Sequence, residues 1–202
     1  MAGKPACAGR LIVFEGIDGS GKSTQAKLFP VDYKLSFPRY DALVGRLIRF
    51  IYFHNLFNRL SPYATAFLFA FDRWLAKPLI NQWLSQGKTV LLDRYTYSSL
   101  AHQGARQKNL INWIYWLEFK VFRLPVPDKV IYLKIDPQMS RRLMKSRRKD
   151  KAEADFIYQQ KTALLYEQLA KKFHFTVINC LDSKKRLLSK DDVAKKIAAA
   201  IG

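Results

Sequence analysis

The chain has 202 residues, 49% of them hydrophobic, and carries 35 Lys and Arg against 16 Asp and Glu, a formal net charge of +19. That length and apolar content suit one globular domain over residues 1–202 with a sizeable core, and the charge will attract polyanions without specifying which. Cys7 and Cys180 lack any metal-ligand or C-x-x-C spacing, Met1–Arg10 lacks a signal-peptide core, and the apolar stretch 42–57 is broken by Arg46, Arg49 and His54, so the reading is a cytoplasmic protein without a membrane span.

The first predicted element is a strand over the apolar run Leu11–Phe14. After it stands Phe14-Glu15-Gly16-Ile17-Asp18-Gly19-Ser20-Gly21-Lys22-Ser23-Thr24, a complete G-x-x-x-x-G-K-[ST] loop ahead of a predicted helix over Lys22–Leu28. Gly16, Gly19 and Gly21 can take positive φ and turn successive N–H groups into one concave nest. Such a nest holds phosphate oxygens. Gly16, Ile17, Asp18, Gly19, Ser20, Gly21, Lys22, Ser23 and Thr24 are therefore assigned to ATP, with Lys22 reaching the β- and γ-phosphates and the Ser23 hydroxyl ligating Mg²⁺.

A strand over Tyr33–Phe37 leads into Pro38-Arg39-Tyr40, and helices are predicted over Ala42–Asn58 and Pro62–Gln86. Ser61-Pro62 supplies an N-cap and a first-turn proline for the second, and Gln86-Gly87 ends it. Phe69 and Arg73 lie four apart on that helix, a spacing that permits a base clamp, although a ring within Phe67–Phe71 serves equally well in a core. The strand Thr89–Leu92 then delivers Asp93-Arg94-Tyr95. A carboxylate there can hold Mg²⁺ through water, and a guanidinium can clamp a phosphate with two parallel bonds.

A helical pattern over Tyr97–Leu124, interrupted near Gly104–Lys108, is followed by a strand over Val130–Ile135, helices over Pro137–Ser146 and Ala154–Phe173, a strand over Phe175–Ile178 and a helix over Lys190–Ile201. This alternation gives an α/β class: a three-layer unit with a five-stranded parallel sheet and helices on both faces. In such sheets the ligand lies beyond the carboxyl ends of the strands, which singles out Asp18, Arg39, Asp93 and Arg94. The run from Arg141 to Glu153 holds seven Lys and Arg and is read as a basic lid at about 141–155.

The loop with its internal Asp18, Phe37-Pro38-Arg39-Tyr40, Leu68-Phe69-Ala70-Phe71-Asp72-Arg73-Trp74, Asp93-Arg94-Tyr95 and Ser98–Gly104 occur in the order found in thymidylate kinases. The chain resembles that family over nearly its whole length. The resemblance implies a P-loop nucleoside monophosphate kinase fold, transfer of the ATP γ-phosphoryl to dTMP, and Mg²⁺. It would place Asp18 near the acceptor's phosphate and 3′-OH, Arg94 on the acceptor phosphate, Phe69 on the thymine and Arg73 on a pyrimidine carbonyl. Arg39, Ser98, His102 and Gln103 complete the acceptor set. Gly19 stands where some family members carry a catalytic arginine, so the lid must supply it, through Arg147 or Arg148.

His102 replaces the family's usual aromatic near the deoxyribose, Lys151 stands for arginine in the lid's D-R-x-E, and Arg39 is one place from the expected phosphate-binding position. Two other functions stay open: a kinase for another pyrimidine nucleotide or nucleoside, and a basic nucleic-acid-binding P-loop protein prompted by the +19 charge. Helical apolar spacing in Arg46–Arg59 argues against the latter, and the apolar faces at 47–53 and 67–71 point to a homodimer.

Overall fold

The structure is a computed structural model that describes residues 9–54, 56–144 and 152–202. Its strands are β1 (Arg10–Glu15), β2 (Tyr33–Ser36), β3 (Thr89–Asp93), β4 (Lys129–Lys134) and β5 (Thr176–Asn179). All pair in parallel, in the order β2-β3-β1-β4-β5. The α-helices are α1 (Lys22–Leu28), α2 (Leu43–Phe53), α3 (Pro62–Ser85), α4 (Thr96–Arg106), α5 (Leu110–Tyr115), α6 (Pro137–Met144), α7 (Ala152–Lys172) and α8 (Lys190–Ile201). The expected five-stranded parallel α/β architecture is what forms.

A parallel sheet covered on both faces needs strands that are apolar throughout, and β1 meets that demand: Leu11, Ile12, Val13 and Phe14 are each at most 1% exposed. Burying each such side chain contributes about 1.5–3 kcal/mol against the entropy of ordering it. Register then places the loops. Phe14 lies level with Asp93 on β3 and with Ile131 on β4. The glycine loop after β1 and the Asp93-Arg94 pair at the end of β3 therefore emerge side by side at one end of the sheet.

One helical expectation is corrected outright and another at its C-terminal end. The stretch 42–58 divides into α2 and a short 3₁₀ turn at Leu56–Arg59. The interruption expected near 104–108 is present, where Gln107 takes an extended backbone that ends α4 before α5, but the stretch beyond α5 closes as a π-helical turn at Trp116–Val121 instead of continuing as α-helix. The wider π turn closes Phe122 N–H onto the Leu117 carbonyl at 2.8 Å. Within that turn Glu118 is wholly buried.

Candidate active site

The glycine loop has the backbone its sequence demands. Gly16, Gly19 and Gly21 have φ of 149°, 76° and 86°. A Cβ on Gly16 would sit 2.7 Å from the Leu133 carbonyl oxygen and 2.8 Å from Ser20 Oγ, so only glycine fits there. Gly21 caps α1, whose exposed Ser23 and Thr24 face outward from its first turn. Lys22 is buried and donates from Nζ to the Ile17 carbonyl at 2.8 Å, curled back onto its own loop. Burial and the neighbouring Arg94 cation pull its pKa down to about 8, against the opposing pull of Asp18, Asp93 and Glu15.

Among the described residues, three buried side-chain oxygens lack a hydrogen-bond partner: Ser20 Oγ, Asp93 Oδ1 and Gln103 Oε1. Buried polar atoms are almost always partnered, so an orphan in the loop, one at the tip of β3 and one on α4 mark a site shaped for something polar. Asp93 Oδ1 is suited to a metal-bound water.

Arg94 follows Asp93 directly at the tip of β3. Its φ of 69° is in the left-handed region, a strain of about 1–3 kcal/mol for a residue with a Cβ, and its N–H bonds the Phe14 carbonyl at 3.0 Å. This turn aims the guanidinium back over the glycine loop. There Nη2 pairs with the Asp18 carboxylate, and Nη1 bonds Ser98 Oγ at 3.4 Å and His102 Nε2 at 3.1 Å. The Arg94 cation holds the Asp18 carboxyl well below the usual range. Burial alone would lower the Arg94 pKa, but Asp18, Tyr166, Glu15 and Asp93 together raise it.

Beneath Arg94, the wholly buried Glu15 accepts bonds from Tyr95 N–H at 2.9 Å, Ser98 N–H at 3.1 Å, Ser98 Oγ–H at 2.6 Å and Tyr166 O–H at 2.8 Å. Burial raises its pKa, while Ser98, Arg94, Tyr166 and Tyr95 oppose the rise. Glu15 thus ties β1 to α4 and to α7, which packs on α4.

Several residues expected at the acceptor stand in other company. Ser98 is buried with its hydroxyl committed to Glu15. The Arg73 guanidinium donates from Nε and Nη2 to both oxygens of Glu118 at 2.8 and 2.6 Å, and from Nη2 to Ser99 Oγ at 2.6 Å. Only Nη1 has no such tie to bring to a base, because the π turn has delivered a carboxylate to this helix face. Arg39 is held by Asp72, through its N–H at 2.8 Å and its side chain at 3.3 and 3.1 Å, with Gly45 so close to its carbonyl that no Cβ would fit. Phe69 is half-buried and stacked on Phe57 at 5.9 Å between ring centroids. Arg147 and Arg148 lie outside the described residues, as does most of the basic run.

The sequence assigned no role to Glu15, Asp72, Glu118, Tyr158 or Tyr166. A glutamate ending an apolar strand beside a phosphate loop was a readable signal for Glu15. The two tyrosines, eight apart on α7, acquire meaning only when that helix packs on α4.

Comparisons with known proteins place the chain in a family. The family model described as thymidylate kinase matches residues 14–190. A probable thymidylate kinase of Pyrococcus abyssi is 38% identical over 189 residues, covering 87% of this chain and 90% of that protein. The thymidylate kinase of Arabidopsis thaliana is 32% identical over 201 residues, covering 96% and 71% respectively. Among solved structures, thymidylate kinase from Candida albicans superimposes with a TM-score of 0.74 at 28% identity, covering 96% of this chain and 91% of that one. A glycine nest, an orphaned carboxylate at the neighbouring strand tip and a strained arginine reaching from one to the other thus occur in a chain that belongs to the thymidylate kinase family.

Proposed function

We infer that this kinase moves the γ-phosphoryl group of ATP to the phosphate of dTMP, giving dTDP and ADP. The observation that carries the assignment of roles is the placement of Arg94, whose guanidinium projects from β3 to within bonding reach of Asp18 in the glycine loop. Donor and acceptor phosphates must meet in line, and a cation fixed between the two binding elements is what the acceptor phosphate requires.

In this reading the amides of Gly16–Thr24 hold the donor phosphates, and Lys22 leaves the Ile17 carbonyl for the triphosphate. The acceptor phosphate takes two guanidinium N–H groups of Arg94, which releases the Asp18 carboxylate toward the acceptor's 3′-OH. An acceptor phosphate oxygen then bonds to the γ-phosphorus as the β–γ bridging bond breaks, and ADP carries away the electron pair. Ser23 Oγ and, through water, Asp93 Oδ1 would hold Mg²⁺, whose charge offsets that of the phosphates; no group of three or more His, Cys, Asp or Glu among the described residues could hold a metal alone. Phe69 and Arg73 Nη1 face the base, Gln103 offers its orphaned Oε1 to the nucleoside, and the cation over the migrating group is Arg147 or Arg148.

The exposed Leu43, Leu47 and Phe50 of α2 and Phe67 and Trp74 of α3 support a homodimer, which a sedimentation mass of one chain would overturn. Among the described residues, no helix is long and apolar enough to cross a membrane.

The test is ADP release measured with dTMP, dUMP, dCMP, UMP and thymidine as acceptors, with Lys22→Ala and Arg94→Ala as controls. A preference for dTMP is expected, and each variant should lose about a hundredfold or more in kcat/KM. No preference among acceptors would sink the substrate assignment, and an undiminished Arg94→Ala enzyme would sink the role of that residue.

A further inference from the structure

His102 sits on α4, half-buried, with both ring nitrogens engaged. Nε2 lies 3.1 Å from Arg94 Nη1, and Nδ1 lies 3.1 Å from the hydroxyl of Tyr158 on α7. The same hydroxyl donates to the His102 carbonyl oxygen at 3.1 Å. These contacts fix the tautomer. A guanidinium can only donate, so Nε2 must be the acceptor and the proton belongs on Nδ1. Tyr158, its one hydrogen already given to the carbonyl, can only accept from that Nδ1–H. The three groups thus form a directed chain with no alternative arrangement of protons.

We propose that His102 is a positioning residue for Arg94, and that Tyr158 holds it in the Nδ1–H tautomer that makes its Nε2 an acceptor for the guanidinium. The proposal rests on the reading of Arg94 as the ligand of the acceptor phosphate. Asp18 holds Nη2 and His102, with Ser98, holds Nη1, so both terminal nitrogens are fixed and with them the plane of the guanidinium. A two-point phosphate contact depends on that plane. When the acceptor displaces Asp18, the His102 contact remains to keep Arg94 from swinging away. His102 then acts through Arg94 and needs no contact with the nucleotide.

The surroundings favour a neutral ring. Arg94, the Lys22 of α1 and the Arg106 of α4 face it as cations, the Asp18 of the loop as the anion, and Tyr158 and Tyr166 of α7 as phenols. Burial first, then Arg94, lowers the imidazole pKa to about 3, with Asp18 alone opposing. A proton on Nε2 would set two cations against each other at hydrogen-bond distance.

Long-range proton–nitrogen NMR correlation on the full chain, whose three histidines are His54, His102 and His174, reads the tautomer directly. His102 should show Nδ1–H and stay neutral between about pH 5 and 8; an Nε2–H signal, or titration in that range, overturns the proposal. In kinetics His102→Phe should raise KM for dTMP about tenfold with KM for ATP unchanged, the effect of losing one bond to a charged donor. His102→Gln, whose amide oxygen can accept from Arg94, should recover dTMP KM to within about threefold of the parent. Tyr158→Phe keeps the ring that Arg106 covers at 5.5 Å but removes the hydroxyl, and should shift His102 toward Nε2–H and weaken dTMP binding. If Arg94→Ala loses dTMP binding while His102→Phe does not, the positioning role alone fails; if Arg94→Ala binds dTMP normally, the underlying reading of Arg94 fails.

Discussion

Glu15 and Glu118 are both wholly buried, yet they stand in opposite settings. Glu118 meets a cation face to face: Arg73 reaches both of its oxygens, and Thr96 Oγ–H adds a third bond at 2.7 Å. Glu15 receives only neutral donors, while the nearest guanidinium, Arg94, is turned toward Asp18. The first arrangement cancels charge locally and ties α3 and α4 to the π turn. The second leaves a carboxylate held by dipoles beside a cation that has other work. Burial raises its pKa while those donors and Arg94 oppose the rise, and displaced titration is typical of groups at reacting centres. One residue type thus serves as an anchor in one place and as part of the phosphate site's electrostatics in the other.

The contrast breaks most severely at the paired end. Arg73→Ala would leave Glu118 charged, buried and unpaired, and should cost about 3–5 kcal/mol in denaturant unfolding. The double variant Arg73→Met with Glu118→Leu removes both charges and should recover most of that loss. A cost below about 1 kcal/mol for Arg73→Ala, the level of an exposed pair, would show that the ion pair contributes little and that the anchor reading is wrong. Glu15→Gln should be milder, about 1–3 kcal/mol, because the amide keeps one acceptor but sets an NH₂ group against donors. If Glu15→Gln proved as damaging as Arg73→Ala, the distinction between a paired and a dipole-held carboxylate would have no energetic content.

The two sites differed in how far they could be read beforehand. Glu15 stands inside a contiguous motif, so loop, strand and helix were all visible in one stretch of sequence, and α1 and α8 have the bounds their patterns indicate. Register did the rest: Phe14 opposite Asp93 brings two strand tips together, a consequence of parallel pairing that local patterns already imply. Glu118 was hidden, because a π turn has no distinctive composition and its extra residue rotates the side chains away from a 3.6-residue face. Arg73 was consequently read from its helix face and the family resemblance toward a base, and its partner, 45 residues away, was not anticipated. Arg39 was obscured in the same way by Asp72, and the Tyr158–His102–Arg94 chain by the packing of α7 on α4. What periodicity cannot report is which polar groups meet across elements, and most of the residues proposed for the acceptor are engaged in such meetings.

The smallest and most discriminating effect lies in the acid limb of stability. Glu15 has a folded pKa raised above 4.5, so its contribution is fully present below the unfolded value and is lost as pH rises through the folded one. His102 has the opposite sign: its folded pKa of about 3 lies below 6.5, so its contribution is present above 6.5 and is lost as pH falls toward 3. Between these limits the two residues, one bonded to Ser98 and the other to Arg94, push the pH slope in contrary directions. Relative to the parent, Glu15→Gln should therefore lose stability more steeply on acidification, and His102→Phe less steeply, when midpoints of urea unfolding are compared from about pH 4 to 7. Parallel slopes for Glu15→Gln and the parent would mean that Glu15 titrates normally, its neutral hydrogen bonds from Ser98, Tyr166 and Tyr95 fully offsetting its burial.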